Sequence, residues 1–152
     1  MQKITTFLWF NNEAEEAAKY YVSIFKNSKI ISKNYYTVET PSKQPVGSVM
    51  TVDFILDGEE FTALNGGPFV KFNESVSLVV QCKGQKEIDY YWNKLTKGGD
   101  KKAQQCGWLK DKYGLSWQIV PQNIGELIRD KKSTMALLGM KKIIIKILQD
   151  AV

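Results

Sequence analysis

The sequence predicts an α+β fold built from two like modules, each running strand, helix, strand, hairpin, with a helical arm after the second. Three observations carry that reading. Tyr90-Tyr91 repeats Tyr20-Tyr21 at a distance of 70 residues, and each pair lies in a helical stretch behind an apolar strand. Asp57-Gly58 separates two alternating runs and is a dipeptide whose positive φ angles suit a two-residue hairpin. Gln105 to Pro121 reads as a further hairpin, turned at Asp111 to Gly114, in which Leu115, Trp117 and Ile119 alternate with Ser116, Gln118 and Val120.

Taken in order, Lys3 to Phe10 is an apolar, β-branched strand ended by Asn11-Asn12. Asn12 with Glu15 reads as a capping box, and Ala14, Ala17, Ala18, Tyr21, Ile24 and Phe25 share one helical face. Lys29 to Val38 is a second strand, and Glu39 to Gly47, with Pro41 and Pro45, is an irregular loop. The hairpin from Val49 to Asn65 follows, and Gly66-Gly67-Pro68 ends the first module, residues 1–67. The second, shorter module spans 74–121: strand Val76 to Cys82, helix Gln85 to Thr96 closed by Gly98-Gly99, then the Gln105 to Pro121 hairpin. What it lacks is a counterpart to the Pro41 to Gly47 loop. Residues 122–152 form the arm. There Ile124 to Ile128 makes a turn or two of helix, and Met135, Leu138, Ile144, Ile145 and Leu148 form a looser apolar series that packs on the sheet or on a partner.

Composition narrows the chemistry. With 152 residues and 43% hydrophobic content the chain is the size of one domain of two modules. It has no apolar run of about 18 residues and no secretory leader, so a cytoplasmic protein is expected, with no membrane association. The net charge of +5 comes from lysines scattered among acids, which reads as a solvated surface rather than a nucleic-acid site. Cys82 and Cys106 read as reduced thiols. There is no histidine, which removes Ser-His-Asp and Cys-His catalysis and His-ligated zinc or iron.

Several local words occur in one order: Phe7-Leu8-Trp9-Phe10 before Ala14-Glu15-Glu16-Ala17 and Tyr20-Tyr21, then Thr62 to Pro68, Asp89-Tyr90-Tyr91-Trp92, and Cys106-Gly107-Trp108 to Pro121. Together they resemble the PhnB-like branch of the vicinal oxygen chelate superfamily of glyoxalases, bleomycin-resistance proteins and dioxygenases. Members of the branch often carry a 3-demethylubiquinone-9 3-methyltransferase domain label. The resemblance implies two βαβββ modules forming a curved eight-strand mixed sheet around a pocket for a small molecule, usually within a homodimer.

Catalytic members of that superfamily hold a divalent metal through His and Glu side chains. The matching positions here fall at Thr6, near Ala63 to Asn65, within Ser75 to Ser77, and at Gln118. Neutral hydroxyls and amides do not offset the dehydration of a divalent ion, so neither metal nor cofactor is expected. A methyltransferase would need a glycine-rich turn opening a helix, and none follows a strand here.

A pocket in such a fold would be lined by Phe7, Trp9, Phe54, Asn65, Cys106, Trp108, Trp117 and Gln118. The indoles are either core packing or a stacking surface for a flat or cationic ligand. Cys106 is the candidate nucleophile, without a histidine to activate it, or else a small buried thiol. Asp111 reads as a turn former, and Asp53 and Glu74 as surface charges. The expected function is metal-independent binding of a small aromatic or hydrophobic molecule. The alternative is a glyoxalase- or methyltransferase-like enzyme acting through Cys106, a tyrosine or the substrate itself. A structural dimer with a filled interior is a third reading.

Overall fold

In the computed structural model, which describes residues 2–151, the chain divides into two compact units, Met1–Lys71 and Phe72–Val152. The first unit runs β1 (Thr6–Phe10), α1 (Ala14–Ile24), β2 (Lys29–Tyr35), β3 (Val49–Leu56) and β4 (Glu59–Asn65). Its sheet has the order β1-β4-β3-β2, with β1 parallel to β4 and the other pairs antiparallel. Three alanines in the first two turns of α1 let its backbone lie close to the sheet. Ala14, Ala17, Ala18, Tyr21 and Ile24 are buried with Leu8, Phe10, Val52, Phe54, Leu56 and Ala63. Asp57 (φ 45°) and Gly58 (φ 85°) form the tight turn of the β3–β4 hairpin, as their composition predicts.

The start of α1 differs from the expected capping box. Glu13 is the N-cap and its side chain makes no capping bond. The Ala14 amide donates instead to Asn65 Oδ1 at 2.8 Å, a cap supplied from the end of β4. Glu15, the expected reciprocal partner, is drawn to Lys33 of β2 at 2.5 Å and to Lys19. The second strand ends at Tyr35, because Tyr36 turns inward and its hydroxyl donates to the Asn65 carbonyl at 2.5 Å.

The second unit repeats the plan in shorter form: β5 (Ser77–Cys82), α2 (Gln85–Thr96), a 3-10 turn at Lys101–Ala103, β6 (Trp108–Lys110) and β7 (Ser116–Pro121). The sheet order is β5-β7-β6, again with the first strand parallel to the last. The place of a fourth strand is taken by a single bridge, Gln105 to Trp108, around a two-residue turn at Cys106 (φ 53°) and Gly107 (φ 86°). In the first unit thirteen residues, 36–48, join the corresponding strands. Two residues leave no length for a strand of its own. The strands therefore make two sheets, of four and of three, where one eight-strand sheet was expected.

The arm forms α3 (Ile124–Leu127), α4 (Lys131–Leu138) and α5 (Ile145–Asp150). Leu127, Ile143 and Leu148 are its buried centre, with Val120, Ile124, Ala136, Leu137, Met140 and Ile145 packed around them. Met135 and Leu138, expected in the apolar series, lie outside it and are 60% and 54% exposed. Besides Val120, polar ties join the arm to the rest of the unit: Cys106 N–H to Met140 O (2.8 Å), Gly107 N–H to Lys141 O (2.7 Å), and Ile145 N–H to Gln85 Oε1 (2.8 Å). Arg129, the only arginine in the chain, donates to the carbonyls of Leu127, Leu148, Gln149 and Ala151, bracing the C-terminal end of α5. Among the described residues no helix is long and apolar enough to cross a membrane.

Candidate functional site

Each sheet has one face against its long helix, α1 or α2, and an opposite face, which in the second unit meets the arm at Val120; strand register decides which side chains lie on each. In the first unit, Leu8, Ala63, Val52 and Lys33 form one cross-strand row, and Lys33 reaches Glu15 on α1, so this row faces the helix. The alternate rows face away from it. One is Phe7, Thr62, Asp53 and Ser32, and the next is Trp9, Leu64, Thr51 and Asn34. Phe7 is 59% exposed. Asp53 sits between two hydroxyls, accepting from Thr62 Oγ1 at 2.7 Å and from Ser32 Oγ at 2.9 Å. A carboxylate braced in this way keeps its position on the face instead of roaming as a surface charge.

Trp9 shares that face near its edge. Its indole lies over Gly66, where an added Cβ would come within 2.3 Å of the ring, and its Nε1 donates to Gly67 O at 2.9 Å. The glycine pair ending the module is thus the seat of an aromatic ring.

In the second unit, Trp117, Ile119, Leu109 and Cys82 are buried on the side of α2. Burial and a neighbouring negative charge on Glu87 push the Cys82 thiol up to about 12. The opposite face carries the rows Ser77, Ser116, Lys110 and Val79, Gln118, Trp108. Gln118 Nε2 donates to Ser77 Oγ at 3.0 Å. Lys110 pairs with Glu74, and its ammonium holds that carboxyl below the usual carboxylate range. Ser116 is 1% exposed, and its hydroxyl has no hydrogen-bond partner among the described residues.

Of the residues expected to line a pocket, Phe7, Trp9, Trp108 and Gln118 lie on these opposite faces. Phe54 and Trp117 do not. They are 1% and 2% exposed in the two cores, because each alternates with a face residue, Asp53 and Gln118 respectively. Trp117 Nε1 donates to the buried Asp111 Oδ2 at 2.9 Å, so this indole anchors the hairpin turn. Asn65 is 7% exposed, and its amide is engaged by Ala14 N–H and the Val49 carbonyl. Cys106 is half-buried in its turn, and its Sγ lies 3.5 Å from Gln105 Nε2. Sequence reasoning took Asp53 for a surface charge and did not place Thr62, Lys110 or Ser116 among the candidate site residues; the same alternation that places Phe7 and Gln118 puts all four on these faces.

The four positions that the sequence singled out for a metal do not suit one. Thr6 has the parity of Leu8 and Phe10 and faces the helix side, while Asn65, Ser77 and Gln118 are already paired. Among the described residues no three His, Cys, Asp or Glu side chains gather. A divalent ion would find only neutral oxygens at these positions.

A family model described as 3-demethylubiquinone-9 3-methyltransferase matches residues 2–120. Among solved structures, a PhnB protein of Bacillus cereus is 37% identical, with a TM-score of 0.64, covering 78% of this chain and 99% of that one. A protein from Staphylococcus aureus is 33% identical over 78% of this chain and 95% of that one, with a TM-score of 0.36. A Pseudomonas aeruginosa protein, 16% identical, shares the fold with a TM-score of 0.60 over 80% of this chain and 98% of its own. No curated protein matches the chain. The family match stops at Val120, so the arm lies beyond it.

Proposed function

This chain belongs to the 3-demethylubiquinone-9 3-methyltransferase family, and we propose that its role is metal-independent binding of a small aromatic or hydrophobic molecule on the sheet faces opposite α1 and α2. The observation that carries the reading is the makeup of those faces. Phe7 is exposed, Trp9 and Trp108 are half-buried, and the polar groups beside them are hydroxyls, an amide and single charges rather than a ligand set for a metal. Apolar walls with a few fixed polar groups are the usual composition of a small-molecule site. The bleomycin-resistance proteins of the vicinal oxygen chelate superfamily, which the chain resembles, are the nearest functional analogy, and a homodimer is the assembly that analogy carries.

Tryptophan fluorescence tests it. Trp9 lies on the proposed face of the first unit and Trp108 on that of the second, while Trp92 and Trp117 are core residues, 7% and 2% exposed. Titration with a panel of aromatic compounds should quench or shift emission, and the response should vanish in the Trp9→Phe/Trp108→Phe double variant. A response that survives in the double variant, or none from the panel at millimolar concentration, would overturn the proposal.

The enzyme reading keeps one supporting observation, the half-buried thiol of Cys106 in a turn with φ of 53°. Alkylation discriminates. Binding indifferent to modification of Cys106 favours the binding protein, whereas loss of a turnover on modification favours the enzyme.

A further inference from the structure

We propose that the sheet face opposite α2 in the second unit takes the carboxylate of an aromatic or apolar acid, with Lys110 as its cation and the Ser77 and Ser116 hydroxyls as donors. The inference rests on the binding function proposed above and names the polar end of its ligand. Ser77, Ser116 and Lys110 are direct cross-strand neighbours on β5, β7 and β6, so their side chains leave the sheet on the same side. Ser116 is the telling member. A hydroxyl on a residue 1% exposed normally finds an acceptor, and this one has none among the described residues. Ser77 Oγ accepts from Gln118, which leaves its own proton available to an acceptor. All three groups thus lie side by side on one face of the sheet, and two hydroxyls with one ammonium match the two oxygens and single charge of a carboxylate. A phosphate dianion would call for more positive charge than one lysine brings.

Glu74 is the ion-pair partner of Lys110. It lies just before β5, its side chain is 64% exposed, and its carboxylate takes the ammonium. A ligand carboxylate would exchange with it, moving a solvated residue back to water. Beside this row, Val79, 49% exposed, and Trp108 supply the apolar surface for the rest of the molecule.

The test uses the full chain and three probes of one shape, 1-naphthoate, 1-naphthamide and 1-naphthylmethylammonium, followed by calorimetry. Naphthoate should bind at least tenfold more tightly than naphthamide, and Lys110→Met should abolish that preference. Ser116→Ala should weaken naphthoate several-fold. Glu74→Gln should strengthen it several-fold, a gain that follows from removing a competing carboxylate and not from any structural role. A cooperative urea transition with a midpoint within about 0.5 M of wild type in each variant shows that the fold is intact. Equal binding of acid and amide, or a preference that survives Lys110→Met, would overturn this inference while leaving the binding proposal standing. Failure of all three probes to bind would count against both.

Discussion

Replacing Asp111 by alanine should damage the second unit about as much as a core truncation, although the residue lies in a turn. Its carboxylate is 2% exposed and accepts from three donors: Tyr113 N–H (2.9 Å) and Leu115 N–H (3.1 Å) at Oδ1, and Trp117 Nε1 (2.9 Å) at Oδ2. Tyr113 is half-buried and its amide can turn to water, but Leu115 and Trp117 are buried. Each stranded buried donor costs about 1–3 kcal/mol, so the pair sets a loss of about 2–6 kcal/mol. Relief from burying a charge offsets part of this. The expected loss is therefore about 3 kcal/mol, a shift of roughly 1.5 M in the urea midpoint at a slope near 2 kcal/mol/M. Asp111→Asn should also destabilise, because its NH₂ must face either the indole N–H or the turn amides. In a double-mutant cycle, Trp117→Phe should cost less in the Asp111→Ala background than alone, with a coupling of about 1–3 kcal/mol. A midpoint within about 0.5 M of wild type for Asp111→Ala, or strict additivity with Trp117→Phe, would refute the reasoning.

Other outcomes follow from the same accounting. Asn65→Ala removes both the Ala14 cap and the bond to the Val49 carbonyl, and should cost the first unit about 2–3 kcal/mol, read by the fluorescence of Trp9, its only tryptophan; Asn65→Asp, which keeps the acceptor, should cost less. Arg129→Lys loses the fork over four carbonyls, and hydrogen exchange in α5 should quicken about 5–30-fold, as a local loss of about 1–2 kcal/mol requires. At pH 8 a disulfide reagent should titrate the half-buried Cys106 quickly and Cys82 only after denaturation, since the Cys82 thiol is held up at about 12. Because that value is raised above the ordinary 9.0, the unfolded chain loses this proton first, so the contribution of Cys82 to stability should be constant below about pH 9 and fall as pH rises from about 9 toward 12. A Cys82→Ala variant should lack that decline.

The order of elements was legible because its signals are local. Asp57-Gly58 turns where its φ preferences demand, and the two tyrosine pairs mark the two helices that back the sheets. Side-chain direction was less legible where aromatic content overrode alternation. Trp117 and Gln118 are adjacent in one strand and cannot share a face, nor can Phe54 share one with Asp53; in each pair the ring went to the core and the polar partner to the opposite face. The cap on α1 was beyond local reading altogether. Its acceptor, Asn65, is 51 residues from the amide that it serves, and only the parallel pairing of β1 with β4 brings them together.

The arm was legible as helical but not in its purpose, and that purpose follows from the strand the second unit lacks. In the first unit β2 covers the free side of β3. In the second, the Cys106-Gly107 turn replaces the long connection, and its two amides point away from Trp108 with no strand to receive them. Met140 and Lys141 carbonyls receive them, and Ile143 packs over Gly107, where an added Cβ would meet its Cδ1 at 2.8 Å. The Bacillus cereus protein is covered over 99% of its length by 78% of this chain, so it has almost no residues left for such an arm. The arm is then a local addition that closes the short end of one unit, which is why loosening the Arg129 fork should free α5 well before it disturbs β6 or β7.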